Sequence, residues 1–284
     1  MKVSHQFTYL TLLTLKKLIS SLSERNKFKV SIYLGKVFFN ILKLRRTVAE
    51  KNLKNAFPDW SHEKINLTLE RTYIFFSSNL INFISFPYSW KNIQFSVSGK
   101  NFLENSFSSG KGIIMITGHF GSWEVLGKWL GDYAELFVGI AFRQKNIGAH
   151  RFFIEQRELS NTKHIFKRES FDKMYDVLKQ NGILGLVSDQ DAGKRGVFVN
   201  FFGIPASTPK GVALFHVNEK SPMIFATCVQ EGLLKYKIEF VPISCTEKTI
   251  KSITQEYTQI LENYIRKHPE QYFWFHKRWK TVKL

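Results

Sequence analysis

Apolar residues recur along this chain with two alternating periods. Short apolar runs of strand composition occupy residues 112–117, 136–142, 164–166, 182–188, 223–229 and 235–242. Stretches with a period near 3.6 lie between them, at 122–130, 148–159, 170–180, 208–218 and 248–267. A longer helical pattern covers 61–86; it opens at Ser61, whose hydroxyl suits an N-cap, and stops before Pro87. This alternation predicts an α/β fold with a mostly parallel central sheet flanked by helices on both faces. In such a sheet functional groups gather at the carboxyl ends of strands, which is where His119 and Asp189 fall.

The first 60 residues depart from this pattern. Residues 7–15 (FTYLTLLTL) are apolar or hydroxylated for nine positions before Lys16 and Lys17 interrupt them, short of the roughly 20 needed to span a bilayer. No small-residue cleavage site follows, so a removed signal peptide is not expected. In residues 28–43 (FKVSIYLGKVFFNILK), Lys29, Lys36 and Lys43 recur every seven positions and share one narrow helical stripe with Asn40. Val30, Ile32, Tyr33, Leu34, Val37, Phe38, Phe39, Ile41 and Leu42 occupy the remaining surface. A wide apolar face beside a lysine stripe fits a helix lying in a membrane interface; a core helix with snorkelling lysines has the same periodicity. The expected division is an N-terminal amphipathic, membrane-associated helical region over 1–60 and an α/β domain over 61–284.

Charge sharpens this division. Lys and Arg number 41 against 23 Asp and Glu, a formal net charge of +18, and residues 1–60 carry twelve of those cations against three anions. A balance this basic implies a phosphate-bearing or acidic partner: nucleic acid, an anionic membrane or an acidic carrier protein. No recognised nucleic-acid module is present, and the amphipathic region suits lipid better, so a membrane surface is expected and nucleic acid is not. Cys228 and Cys245 form no CxxC or metal-ligand spacing, and read as small buried residues of a reducing compartment.

Candidate chemistry lies in three segments. GHFGSWEVLGKWL, residues 118–130, follows the apolar run GIIMIT. There His119 ends a strand, Gly121 permits a tight turn, Ser122 is available as a cap, and Glu124 enters the first helical turn. An imidazole base needs its second nitrogen held in one tautomer, which Glu124 can do, although His followed by Glu at this spacing also arises by chance. SDQDAGKRGVFVNFFGIPASTPKG, residues 188–211, sets Asp189 and Asp191 around Gln190, then Lys194 and Arg195 in a turn before an apolar strand. That combination suits a substrate with a charged head and an apolar tail; a solvated loop has the same charged turn. Asp189 and Asp191 also read as the metal-binding DxD of a glycosyltransferase, the alternative outside acyl transfer. No GxxxxGK[ST] or GxSxG occurs, which disfavours P-loop chemistry and a serine nucleophile elbow. Near the carboxyl end, PEQYFWFHKRWK interleaves Tyr272, Trp274 and Trp279 with Lys277, Arg278 and Lys280, either as packing or as a phosphate cradle, and His276 is read as structural.

GKGIIMITGHFGSWE, DQDAGKRGVFVNFFG, PEQYFWFHKRWK and RRTVAEKNLKNAFPDW (residues 45–60) together resemble, in order and spacing, blocks of the lauroyl/myristoyl acyltransferases of lipid A biosynthesis. That family belongs to the lysophospholipid acyltransferase superfamily with its HxxxxD/E signature, and the resemblance covers nearly the whole chain. It implies a glycerolphosphate-acyltransferase-like fold. The implied reaction moves a fatty acyl group from an acyl-carrier-protein or CoA thioester to a hydroxyl of a glycolipid, a lipid A precursor first, with another glycolipid or a phospholipid as the alternative acceptor. Its implied place is the cytoplasmic face of the inner membrane, with no metal and no resident cofactor. By position, His119 matches the general base and Glu124 its acidic partner; Arg143 of AFRQKN matches an arginine after the third strand, and Arg157 falls near another basic position. Both arginines are then expected to face phosphate or an oxyanion, with Asp189, Asp191, Lys194 and Arg195 in substrate binding. Ser122 and Gln144 depart from the family's common Asn and Pro, which bears on the acceptor rather than on the chemistry.

Overall fold

The computed structural model describes residues 2–159, 161–166, 169–244, 247 and 249–282; Cys245 and the Lys248 start of the last expected helix lie outside them. Four helices come first: α1 (Val3–Ser20), α2 (Glu24–Val37), α3 (Arg46–Ala56) and α4 (His62–Ile84). Then follow β1 (Gln94–Ser98), α5 (Lys100–Phe107), β2 (Ile113–Thr117), α6 (Trp123–Tyr133), β3 (Phe137–Ala141), α7 (Ile147–Glu158), β4 (Lys163–Phe166) and α8 (Phe171–Lys179). The remainder is β5 (Ile183–Val187), the hairpin β6 (Val197–Phe201) and β7 (Ile204–Thr208), α9 (Gly211–Glu219), β8 (Met223–Gly232), β9 (Lys235–Pro242) and α10 (Ile250–Lys267).

Among the described residues seven strands form one sheet in the order β1-β9-β8-β2-β5-β3-β4. The pairs β8–β2, β2–β5, β5–β3 and β3–β4 are parallel, and only β9 meets β8 antiparallel. The expected α/β class with a mostly parallel sheet is therefore what the chain forms. Ile113, Ile114, Met115 and Ile116 of β2 are buried on both faces, in two apolar clusters above and below the sheet. Full burial of each such side chain stabilises the fold by about 1.5–3 kcal/mol. Ser61 accepts the Lys64 N–H, which fixes the start of α4 as its sequence predicts. β1 and α5 are additions to the expected pattern: β1 (QFSVS) is a half-exposed edge strand with no continuous apolar run. The helix expected from residue 208 begins at Gly211, because Thr208 is still paired with Val197 in the β6–β7 hairpin.

The N-terminal helices are docked on the α/β layer. α1 lies along α7, with Tyr9 donating to Glu155 at 2.7 Å and Asn146 to Thr8 at 3.0 Å. α2 turns Lys27, Ser31 and Gly35 inward, and a Cβ on Gly35 would stand 2.6 Å from the Ile74 backbone of α4. Lys27 is neutralised by Glu24 at 2.7 Å. The outer surface holds Phe28, Val30, Tyr33, Ile41, Leu42 and Leu44 together with Lys29, Lys36 and Lys43. The single lysine stripe expected from the sequence is therefore not kept. A π-turn at Phe38–Leu42 inserts extra chain into the helix, and Lys43 leaves it at φ 47°, which moves Asn40 and Lys43 out of register. No helix among the described residues is long and apolar enough to cross a membrane.

Candidate active site

The register between β2 and β5 builds the site. Thr117 pairs with Val187, so the chains leaving the two strands carry His119 and Asp189 out at the same level. Asp189 Oδ1 accepts from His119 Nδ1 at 2.7 Å. A carboxylate only accepts, so Nδ1 carries a proton toward Asp189, and in the neutral form of the ring Nε2 presents a lone pair. Asp189 is buried, and burial alone opposes its charge. The His119 imidazole outweighs that through charge and hydrogen bonding, with Arg278 adding to it, and the carboxyl is held below its usual range. The His119 side chain is 25% exposed, enough for Nε2 to meet a substrate. Trp123 lies edge-on at 5.3 Å between ring centroids and Phe273 at 5.9 Å, so the ring is fenced by aromatic surface.

The turn from β2 to α6 is as tight as the sequence requires. Gly121 has φ 61°, and a Cβ there would stand 2.2 Å from the Cys228 carbonyl of β8, which excludes any other residue. Ser122 does not cap α6; its N–H goes to the Cys228 carbonyl and its hydroxyl to Asn79 of α4 at 2.7 Å. Burial pushes the Cys228 thiol well up and keeps it an inert part of that packing.

Glu124 does not hold the imidazole. Its two oxygens receive Arg157 Nη2 at 2.6 Å and Nε at 3.0 Å, a two-point pair joining the first turn of α6 to the end of α7. Burial works against the Arg157 charge and Glu124 more than restores it, so the guanidinium is held even more firmly protonated. The carboxylate expected on His119 from the five-residue spacing is thus replaced by one 70 positions away. Arg157, expected on phosphate or an oxyanion, is engaged by Glu124 instead. Beside this pair His164 is kept neutral, its pKa lowered to about 4 by burial and then by the Arg157 charge.

The remaining candidates are spread around this centre. Arg143 lies exposed after β3, 3.4 Å from Glu169 and stacked over Phe166. Lys194 and Arg195 are exposed on the single turn that precedes β6. Asp191 accepts from the Thr281 backbone and hydroxyl and from the Gly193 N–H, while Asp189 is engaged by His119. The two carboxylates serve different protein donors, which leaves the glycosyltransferase reading without a convergent metal pair.

The carboxyl-terminal segment contributes more than its composition reveals. Phe273 N–H donates to the His119 carbonyl at 2.9 Å and Gly121 N–H to the Gln271 carbonyl at 2.8 Å, so Tyr272 makes an antiparallel bridge with Phe120 in the turn that carries His119. Tyr272 and Arg278 face Asp189 from the interior, and Arg278 is fixed by the Ser207 carbonyl and Thr208 hydroxyl. His276 accepts the Asp191 N–H at 3.0 Å, a structural part consistent with its reading from sequence. Asn52 of α3 donates to the carbonyls of Trp274 and His276, at 2.7 and 2.6 Å. Three sequence blocks that are distant in the chain therefore meet around one imidazole, and the fourth, residues 45–60, braces the carboxyl-terminal one through Asn52. A surface cavity of about 530 Å³, lined by Lys111, His216 and Met223, opens away from this site, beside the amino ends of β2 and β8.

Fold and site together define an α/β protein that presents a carboxylate-held imidazole at the carboxyl edge of a mostly parallel sheet. The chain belongs to the bacterial lipid A biosynthesis acyltransferase family, whose model matches residues 2–281. It is similar to the lipid A biosynthesis palmitoleoyltransferase of Escherichia coli, 23% identical over 256 residues that cover 87% of this chain and 83% of that protein. The lauroyltransferase of lipid A biosynthesis from the same organism is 22% identical over 263 residues, 89% and 85% of the two chains. The phosphatidylinositol mannoside acyltransferase of Mycobacterium tuberculosis is 25% identical over 187 residues, 64% of this chain, which spans 59% of that relative's length.

Proposed function

We propose that this protein is an interfacial O-acyltransferase that moves a fatty acyl chain from a carrier thioester to a hydroxyl of a glycolipid, a lipid A precursor. The observation that carries the reading is the His119 imidazole, held by Asp189 on Nδ1 and with its side chain 25% exposed. His119 takes the proton of the acceptor hydroxyl, and the oxygen attacks the thioester carbonyl. The C–S bond then breaks, and the imidazolium returns the proton to the departing thiolate. Asp189 keeps the imidazole in the reactive tautomer and stabilises its charged form. Glu124 and Arg157 hold the α6 turn that carries Trp123 against the imidazole. Arg143, Lys194 and Arg195 supply cations for a phosphorylated acceptor, and the +18 charge favours acyl-carrier protein over CoA as the thioester carrier.

The cytoplasmic face of the inner membrane is the proposed place of action. α2 supports it by being inverted: its small and polar residues face the protein, while Tyr33 (72% exposed) and the adjoining Ile41 (71%) face outward among lysines. Water penalises such a surface, whereas an anionic bilayer accepts both its apolar groups and its cations. Mass spectrometry of lipids from cells lacking the protein tests both halves of the proposal. Re-supplied wild type restores one ester-linked acyl chain on lipid A, whereas Tyr33→Asp/Ile41→Asp is recovered in the soluble fraction and restores little. A lipid profile indifferent to loss of the protein overturns the acceptor, and full rescue by the membrane-free variant overturns the interfacial mode.

A further inference from the structure

The Nε2 lone pair of the neutral His119 ring is already met within the protein. Gln190, the residue after Asp189, brings its amide Nε2 to 3.4 Å from His119 Nε2. Because Nδ1 carries the proton toward Asp189, the group that satisfies Nε2 is a donor, so the carboxamide turns its N–H face to the ring. The contact is long for a hydrogen bond and the Gln190 side chain is only partly buried, so an incoming group displaces it at small cost.

We infer that Gln190 is a positioning residue that orients the acceptor and selects a hydroxyl over an amine. This rests on the acyl-transfer reading above and deepens it. A hydroxyl has one hydrogen and two lone pairs. When it enters between the two side chains, its hydrogen goes to His119 Nε2 and the displaced Gln190 N–H donates to one lone pair. The second lone pair is left aimed at the thioester carbonyl. The oxygen–carbonyl bond forms as the proton passes to Nε2, and the C–S bond breaks as that proton passes to the thiolate. An amine has a single lone pair, which the attack itself needs, so in the same place Gln190 confronts an N–H with another N–H. With its N–H face kept toward the ring, Gln190 therefore favours ester over amide formation.

The test compares wild type with Gln190→Met, which keeps the length of the side chain and removes the donor. Both are supplied with one acyl thioester and an equimolar pair of glycosides that differ only in a hydroxyl or an amine at the acceptor position. For the variant, kcat/KM on the hydroxyl glycoside is expected to fall roughly tenfold, the worth of one hydrogen bond. The ester-to-amide ratio is expected to fall by at least as much, with an unchanged melting temperature. The role is overturned if the variant keeps the wild-type kcat/KM for the hydroxyl, if ester and amide decline together, if both rise because Gln190 merely obstructs the base, or if the variant forms no measurable amide. Wild type that makes no ester refutes the acyl-transfer reading itself, whereas active wild type with an unaltered variant refutes only the role of Gln190.

Discussion

Asp189→Asn is expected to reduce acyl transfer about a thousandfold, a loss of roughly 4 kcal/mol in transition-state stabilisation. Asparagine keeps the shape but can offer an N–H to Nδ1, and the ring then places its proton on Nε2, where the acceptor hydroxyl must be deprotonated. The charge that stabilises the imidazolium disappears as well. Arg278, buried behind Asp189, loses a countercharge but keeps its bonds to Ser207 and Thr208, so the stability cost stays near 1–3 kcal/mol. Circular dichroism of the variant at the assay temperature checks that it remains folded, and steady-state kinetics read the loss. His119→Ala combined with Asp189→Asn is expected to be no slower than His119→Ala alone, because Asp189 acts only through the ring.

The second large effect is expected at the Arg157–Glu124 pair. Arg157→Met leaves Glu124 with no cation in a site where both side chains are about three-quarters buried. Breaking a buried pair costs roughly 3–5 kcal/mol, and the partial exposure here reduces that to about 2–3 kcal/mol. For a chain of this size the melting temperature then falls by about 5 °C or more. Trp123, the residue before Glu124, stands edge-on to His119, so slackening the turn lowers kcat by roughly tenfold and leaves KM for the acceptor little changed. Glu124→Gln with Arg157→Met is expected to recover part of the stability lost by either change alone. Were Arg157 to bind substrate phosphate directly, its loss would raise KM instead, with little change in melting temperature.

How far these contacts were legible in the sequence depended on the distance over which they form. The apolar runs of β2, β5 and β9 and the N-cap of α4 are set by neighbouring residues, and the chain alone locates them within a residue or two. His119 and Asp189 were each visible at a strand end. Their pairing was not, because it is made by the β2–β5 register across 70 positions, while Glu124 stood nearer in sequence and resembled a partner. Glu124 is drawn away by Arg157, another tertiary contact that spacing does not encode. The same holds for residues 271–273 against the turn that carries His119: aromatic and basic alternation gives no sign of which backbone it pairs with. A parallel neighbour emerging at the same level as His119 was the one available signal for Asp189. It required strand order as well as strand positions.

Incubation of the purified protein with an acyl-carrier thioester and a lipid A precursor in anionic vesicles tests the base assignment most directly. Wild type is predicted to release one free thiol for each acyl ester gained by the lipid, and His119→Ala, folded and still vesicle-bound, to release essentially none. Turnover by His119→Ala at the wild-type rate, with the same ester product, would contradict the account.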